Sequence, residues 1–108
     1  MTALQEQLKK EFQLAEQARA KGNEGRARVC ARRAAGIAVR EYLIRKGTPP
    51  PSLSAVDLLN LLKDDPLLSP DLKLIADHLT LRVTEEFKLP VKADLVAEAR
   101  KLCDEMLK

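Results

Sequence analysis

The chain has 108 residues, of which 45% are hydrophobic and 32% charged, a size and balance typical of one globular domain. An aromatic fraction of 3% argues against a large β-sandwich and against a module that stacks nucleic-acid bases on aromatic side chains. The net charge of +3 is too small to indicate nucleic-acid binding by itself, and no apolar run approaches the ~20 residues of a membrane span. We therefore expect one domain over residues 1–108, cytoplasmic and without membrane contact.

The first predicted helix begins at Thr2, because Thr2 and Gln5 have the spacing of a capping box. Apolar residues then recur at helical spacing as far as Lys21. Gly22 suits the left-handed position that ends a helix, and Asn23 suits the cap of the next one. So short a connection predicts that the first two helices are antiparallel neighbours.

The second predicted helix runs from about Glu24 to Lys46 and carries small residues on one face. Gly36 lies within it at a cost of about 1 kcal/mol relative to alanine, which indicates close packing at that position. A stripe of alanines at helical spacing would let another helix approach closely. These alanines are Ala27, Ala31, Ala34 and Ala38.

The second helix also concentrates positive charge. Residues 19–46 hold nine basic and two acidic side chains, a balance of +7 that leaves −4 for the rest of the chain. At 100° per residue, Arg26, Arg33 and Arg40 fall within about 40° of one another. This ridge is a candidate site for an anion or a nucleic acid. The alternative is a solvated helix surface, partly neutralised by acidic neighbours.

Three further helices follow a proline-rich loop at residues 49–51. Ser54 caps a short, leucine-rich third helix, and Ser69 with a following proline caps a fourth. The apolar face of the fourth helix extends from Leu72 to Phe87, and Pro90 separates it from the last helix. These patterns predict an all-α fold, a mostly antiparallel, up-and-down bundle of four helices with one additional short helix.

Few residues are suited to catalysis. His78 is the single histidine, so no histidine pair holds a metal, and we expect neither a metal nor another cofactor. His78 and Arg82 are one helical turn apart, and a general base beside a cation would suit RNA cleavage. The alternative is a structural pair at the bundle edge, close to carboxylates such as Asp77 or Glu85. Both cysteines lie on apolar faces and are expected to be packed thiols.

Two leucines lie on the outward side of the fourth predicted helix. Leu74 and Leu81 are one heptad apart and about 160–180° from the core stripe. They predict a homodimer in which the fourth helices of two copies pair about a two-fold axis. The alternative is that the short third helix folds over both leucines.

The sequence resembles HEPN domains over nearly its whole length. The first helical hairpin of that family is similar to residues 14–47, LAEQARAKGNEGRARVCARRAAGIAVREYLIRKG, and its short third helix to residues 53–62. The last two helices resemble LIADHLTLRVTEEFKLP and ADLVAEARKLCDEML. The resemblance implies a helical bundle that often acts by binding a protein partner, such as a nucleotidyltransferase encoded beside it in a toxin–antitoxin pair.

The chain departs from active members of that family. HEPN ribonucleases carry an arginine four to six residues before a histidine, whereas here Arg82 follows His78. The preferred hypothesis is therefore a non-catalytic, HEPN-like module that binds a protein partner. Two alternatives remain: a module that binds RNA or a nucleotide through Arg26, Arg33 and Arg40, and a divergent, metal-independent ribonuclease that uses His78 and Arg82.

Overall fold

The computed structural model describes residues 2–50, 54–81 and 93–108, and these residues form five α-helices and no strand. The helices are α1 (Ala3–Ala20), α2 (Glu24–Arg45), α3 (Ala55–Lys63), α4 (Pro70–Thr80) and α5 (Leu95–Met106). The predicted all-α helical bundle is confirmed. None of these five helices is long and apolar enough to cross a membrane.

The helix starts follow the predicted caps. Thr2 and Gln5 form a capping box, with a backbone–side-chain hydrogen bond in each direction at 3.0 and 3.1 Å. Asn23 and Ser69 accept a backbone N–H in the first turns of α2 and α4, as predicted. Gly22 has a φ of +78°, which glycine adopts without the strain that a side chain would bring. Its turn makes α1 and α2 antiparallel neighbours.

Helix α2 is the centre of the bundle, because it contacts each of the other four helices. Arg45 near its end donates a hydrogen bond to the carbonyl of Leu107 at the end of α5, at 3.4 Å. At the opposite end, Arg19 contacts both Glu24 at the start of α2 and Asp94 at the start of α5. Helices α2 and α5 therefore lie side by side and run in the same direction.

Small residues make these close contacts feasible, as the alanine stripe predicted. The alanines that face the neighbouring helices are completely buried, so their Cβ atoms and the backbone form the contact surface. The thiol of Cys103 on α5 lies 3.6 Å from the backbone carbonyl of Ala34. The alanines concerned are Ala27, Ala31, Ala34, Ala35 and Ala38.

Helices α2 and α3 are in close contact at Gly36. A Cβ atom added to Gly36 would lie 2.7 Å from the Cβ of Ala55 and 2.9 Å from its Cα. No side chain fits at that distance without moving the backbone of α3. The close packing inferred from a glycine within a helix is thus confirmed, and α3 is its partner.

The fourth helix is shorter than predicted. It ends at Thr80, and Leu81 has an extended backbone (φ −66°, ψ 142°). The hydroxyl of Thr80 lies 3.0 Å from the carbonyl of Asp77, the group to which the N–H of Leu81 would donate in a continuing helix. That N–H donates instead to the carbonyl of His78, at 3.3 Å. The rest of the predicted apolar face, towards Phe87, lies outside the described residues.

Substitution of Gly36 tests the α2–α3 contact. We expect Gly36→Ala to lower the free energy of unfolding by about 1–3 kcal/mol, because the added methyl group must displace Ala55. Gly25→Ala in the same helix is the control: its nearest atom would be 3.9 Å away, so the better helix former should be neutral or stabilising. Urea unfolding measures both. Equal stability of the two variants would contradict the assigned contact.

An ion-pair cluster joins α1, α2 and α5 at one end of the bundle. Arg19 Nε lies 2.7 Å from Glu24 Oε1, and Arg19 Nη2 lies 2.9 Å from Asp94 Oδ1. Asp94 also caps α5 by accepting the backbone N–H of Ala97 at 3.1 Å. The hydrogen bond from Arg19, followed by that from Ala97, lowers the pKa of Asp94 below its ordinary value.

This cluster predicts a loss of stability in acid. Because the pKa of Asp94 is lower in the folded chain, its contribution is present above about pH 4 and is lost as the pH falls through the folded-state value. The side chains of Arg19 and Asp94 are 35% and 54% exposed, so solvent screens the pair and we expect it to contribute about 0.5–1 kcal/mol to the free energy of unfolding. Thermal unfolding of Asp94→Asn, which keeps a capping oxygen, should depend less on pH than that of wild type. Asp104→Asn, exposed on the same helix, should behave as wild type.

Candidate functional site

Helix α2 exposes only one side along its middle turns. Among residues 28–42, Val29, Arg33 and Arg40 are the exposed side chains, and the others are buried or half-buried. At 100° per residue, these three share a strip about 80° wide with three neighbours on the same helix. We call this strip the α2 face; it consists of Arg26, Val29, Arg33, Ile37, Arg40 and Ile44.

The α2 face alternates cationic and apolar side chains. Its arginines recur every seven residues, about 10.5 Å apart along the helix axis. Between and beyond them, Val29 is 45% and Ile44 48% exposed. The arginines predicted to form one ridge therefore do share a face, but branched apolar side chains share it with them.

Glu11 on α1 pairs with the central arginine of this face. Glu11 Oε2 lies 3.2 Å from Arg33 Nε, and no hydrogen bond to that buried oxygen is formed by the described residues. Contact with the Cys30 thiol, followed by the charge of Glu11, raises the pKa of Arg33. Arg26 and Arg40 pair with no acidic side chain in the described ranges. The unpaired charge of the face thus belongs to Arg26 and Arg40.

A groove of about 270 Å³ adjoins the α2 face where α1, α2 and α3 meet. Its lining combines the Gly36–Ala55 contact and aliphatic side chains with the Glu11–Arg33 pair and Arg40. We call it the α2–α3 groove; it is lined by Glu11, Arg33, Gly36, Ile37, Arg40, Ala55 and Leu58.

Other arginines of the basic segment hold the fold together. Arg32 Nε donates to the carbonyl of Leu79 at 2.7 Å, which ties α2 to the end of α4. Arg45 lies 3.2 Å from Glu41 one turn earlier. For Arg45 the alternative interpretation, a helix surface partly neutralised by acidic neighbours, is the better description, whereas Arg32 binds a backbone carbonyl.

His78 is tied to a carboxylate from another helix. Its Nδ1 lies 2.7 Å from Glu98 Oε1 on α5, and the side chains are 18% and 22% exposed. Asp77, named above as a neighbouring carboxylate, pairs instead with Lys63 at 3.5 Å. Arg82 lies outside the described residues, so its predicted one-turn spacing from His78 remains a prediction. Glu98 was missed because a pairing across 20 positions leaves no local spacing signal.

Both cysteines are buried, as predicted for packed thiols. Burial raises the pKa of Cys103 to about 12, which keeps it protonated and a poor nucleophile. Across residues 2–50, 54–81 and 93–108, no three histidine, cysteine or acidic side chains gather as metal ligands would. The described part of the chain therefore offers the α2 face and the adjoining groove as its candidate site.

The leucines predicted to mediate self-association differ in their surroundings. Leu74 on α4 is 54% exposed, so α3 does not cover it. Leu81 is half-buried and follows the end of α4 in an extended conformation. The two side chains therefore do not continue one helical ridge, and Leu74 alone presents an exposed apolar side chain on α4.

No family model matches this sequence, and neither a curated protein nor a solved structure matches it. The resemblance to HEPN domains consequently rests on the sequence segments quoted above.

Self-association through α4 stays a prediction with a direct test. If Leu74 pairs across a two-fold axis, light scattering at tens of micromolar should report about twice 12.0 kDa, and Leu74→Glu should return the chain to a monomer. Leu67→Glu is the control, because Leu67 is 85% exposed in the connection between α3 and α4. A monomeric wild type would contradict the prediction.

Proposed function

We propose that this domain is a non-catalytic interaction module that binds a protein partner through the α2 face. The observation that carries the proposal is the alternation of arginine and branched apolar side chains on the one side of α2 left open to solvent. Protein interfaces combine an apolar centre with surrounding charges and favour arginine. A surface for phosphates alone needs charge and gains nothing from Val29 or Ile44.

The resemblance to HEPN domains supports the same proposal. The chain folds as an all-α bundle, as that resemblance implies, and it lacks the arginine four to six positions before its histidine. We propose that it is a divergent member of this family. A nucleotidyltransferase-type protein encoded beside it is then the first partner to examine.

RNA or nucleotide binding is the second candidate function. It is favoured by the unpaired side chains of Arg26 and Arg40, about 21 Å apart on one helix face. The pairing of Arg33 with Glu11 counts against it, because a carboxylate within the ridge repels phosphate. A ribonuclease has less support, since the chain lacks the arginine that active HEPN ribonucleases carry four to six positions before the histidine. Any cleavage of RNA that His78→Ala abolishes would revive it.

The proposed function is tested with a partner captured by the full chain, identified, purified and titrated by calorimetry. We expect Val29→Glu and Ile44→Glu each to weaken binding by about tenfold or more, because each places a carboxylate in an apolar part of the interface. Leu67→Glu also replaces an exposed apolar side chain by glutamate, but Leu67 lies outside the α2 face, so this variant should bind as wild type. Binding that neither α2 variant changes would contradict the proposal.

The same variants separate a nucleic acid from a protein. If the ligand is RNA, its affinity should fall steeply and linearly in a log–log plot against salt, and should drop in Arg26→Glu and Arg40→Glu. Arg28→Glu, on a different side of α2, serves as the control with an equal change of charge. That pattern would replace the protein-binding proposal with the second candidate.

A further inference from the structure

We infer that the α2–α3 groove receives an apolar side chain from an acidic amphipathic helix of the partner, and that Arg40 pairs with a carboxylate beside that side chain. This inference rests on the proposed function and specifies the chemistry of the partner. It follows from the apolar lining of the groove, from Arg40, a lining residue that has no acidic partner among the described residues, and from the helical spacing of the α2 face.

The groove is lined in part by apolar residues. Gly36 and Ala55 are in close contact there, and Ile37 and Leu58 are the aliphatic side chains of the lining. The volume of the groove is about 270 Å³, and it is open to solvent. A large apolar side chain inserted from outside would cover Ile37, which is half-buried. Such an anchor in a preformed pocket is the usual centre of a protein interface.

The rim of the groove selects for negative charge. Arg33 already has Glu11 at 3.2 Å, so a second carboxylate there would be attracted by Arg33 and repelled by Glu11. Arg40 has no acidic partner among the described residues and lies one turn beyond Gly36. A carboxylate next to the inserted side chain would therefore pair with Arg40.

Beyond the groove, the α2 face continues to present arginines and apolar side chains along the helix. Arg26 and Arg40 are two heptads apart, about 21 Å along the axis, and the apolar Val29 and Ile44 lie on the same face. A helix laid along α2 repeats its own side chains with this period, so carboxylates two heptads apart meet both arginines. We therefore choose an acidic helix over an extended peptide.

The test uses a labelled synthetic peptide and the full chain, followed by fluorescence anisotropy. The probe is a helix of about 18 residues, matched to the ~27 Å from Arg26 to Ile44, with leucines on one face and glutamates two heptads apart beside them. A second peptide replaces each glutamate by lysine. Single-stranded RNA and vesicles of phosphatidylserine are the remaining probes. We expect saturable binding of the acidic peptide in preference to the lysine peptide.

Variants assign the binding to the groove. Arg40→Glu should weaken the acidic peptide by about tenfold and strengthen the lysine peptide, because the pairing is reversed. Lys101→Glu, exposed on α5, has the same change of charge and should alter neither. Ile37→Ala should weaken the acidic peptide without affecting RNA, since it removes apolar surface alone. Unfolding midpoints show whether the variants are folded. Changes in the chemical shifts of Ala55 and Leu58 during the titration show whether the peptide occupies the groove.

Several outcomes would overturn the inference. Absence of saturable binding of the acidic peptide would do so. An equal loss of affinity for that peptide in Arg40→Glu and Lys101→Glu would also do so, because it would indicate that only the net charge of the domain attracts the peptide. Tighter binding of RNA or vesicles than of the peptide, insensitive to Ile37→Ala, would indicate a phosphate ligand. Loss of a captured partner in Val29→Glu and Ile44→Glu but not in Ile37→Ala or Arg40→Glu would leave the proposed function intact and overturn the groove alone.

Discussion

The lack of side-chain bulk on most of the buried face of α2 is the constraint on which this bundle depends. Because its alanines and Gly36 have small side chains or none, α1, α3 and α5 can pack close to the backbone of α2, and this single helix contacts all four others. Small residues contribute little buried apolar area themselves. The larger share comes from leucines that the neighbouring helices pack around α2. The best buried of these are Leu58, Leu59, Leu62, Leu79, Leu95 and Leu102.

That packing also decides which side of α2 remains open. A helix in contact with four neighbours has one strip left for solvent, and on α2 this strip carries Arg33 and Arg40 together with Val29. In a helix with a single buried face, such residues would be scattered over a broad polar surface. In this bundle the neighbouring helices confine the exposed residues of α2 to one strip. The candidate site is thus a consequence of the same small-residue packing that holds the bundle together.

The sequence was informative wherever the signal was local. Capping at Thr2 and Asn23, the close contact at Gly36 and the shared face of the arginines all follow from spacings of a few residues. Pairings across long separations left no such signal, because their partners meet only through the tertiary fold. Those of Arg19 with Asp94, Arg33 with Glu11 and His78 with Glu98 are of this kind. The early end of α4 at Thr80 was not predicted either, because the apolar pattern of the sequence continues beyond it as far as Phe87.

The pair of Glu11 and Arg33 restricts the register in which the proposed acidic helix fits along the α2 face. Three unpaired arginines at equal spacing would accept an acidic helix in several registers, each displaced by one heptad. With Arg33 already paired, the two outer arginines remain, and only a register that presents carboxylates two heptads apart satisfies both. Shifting such a partner by one heptad leaves both Arg26 and Arg40 unpaired and brings a carboxylate against Glu11, which is unfavourable. In the proposed binding mode, the half-buried Glu11 on α1 therefore limits where a partner can bind on α2.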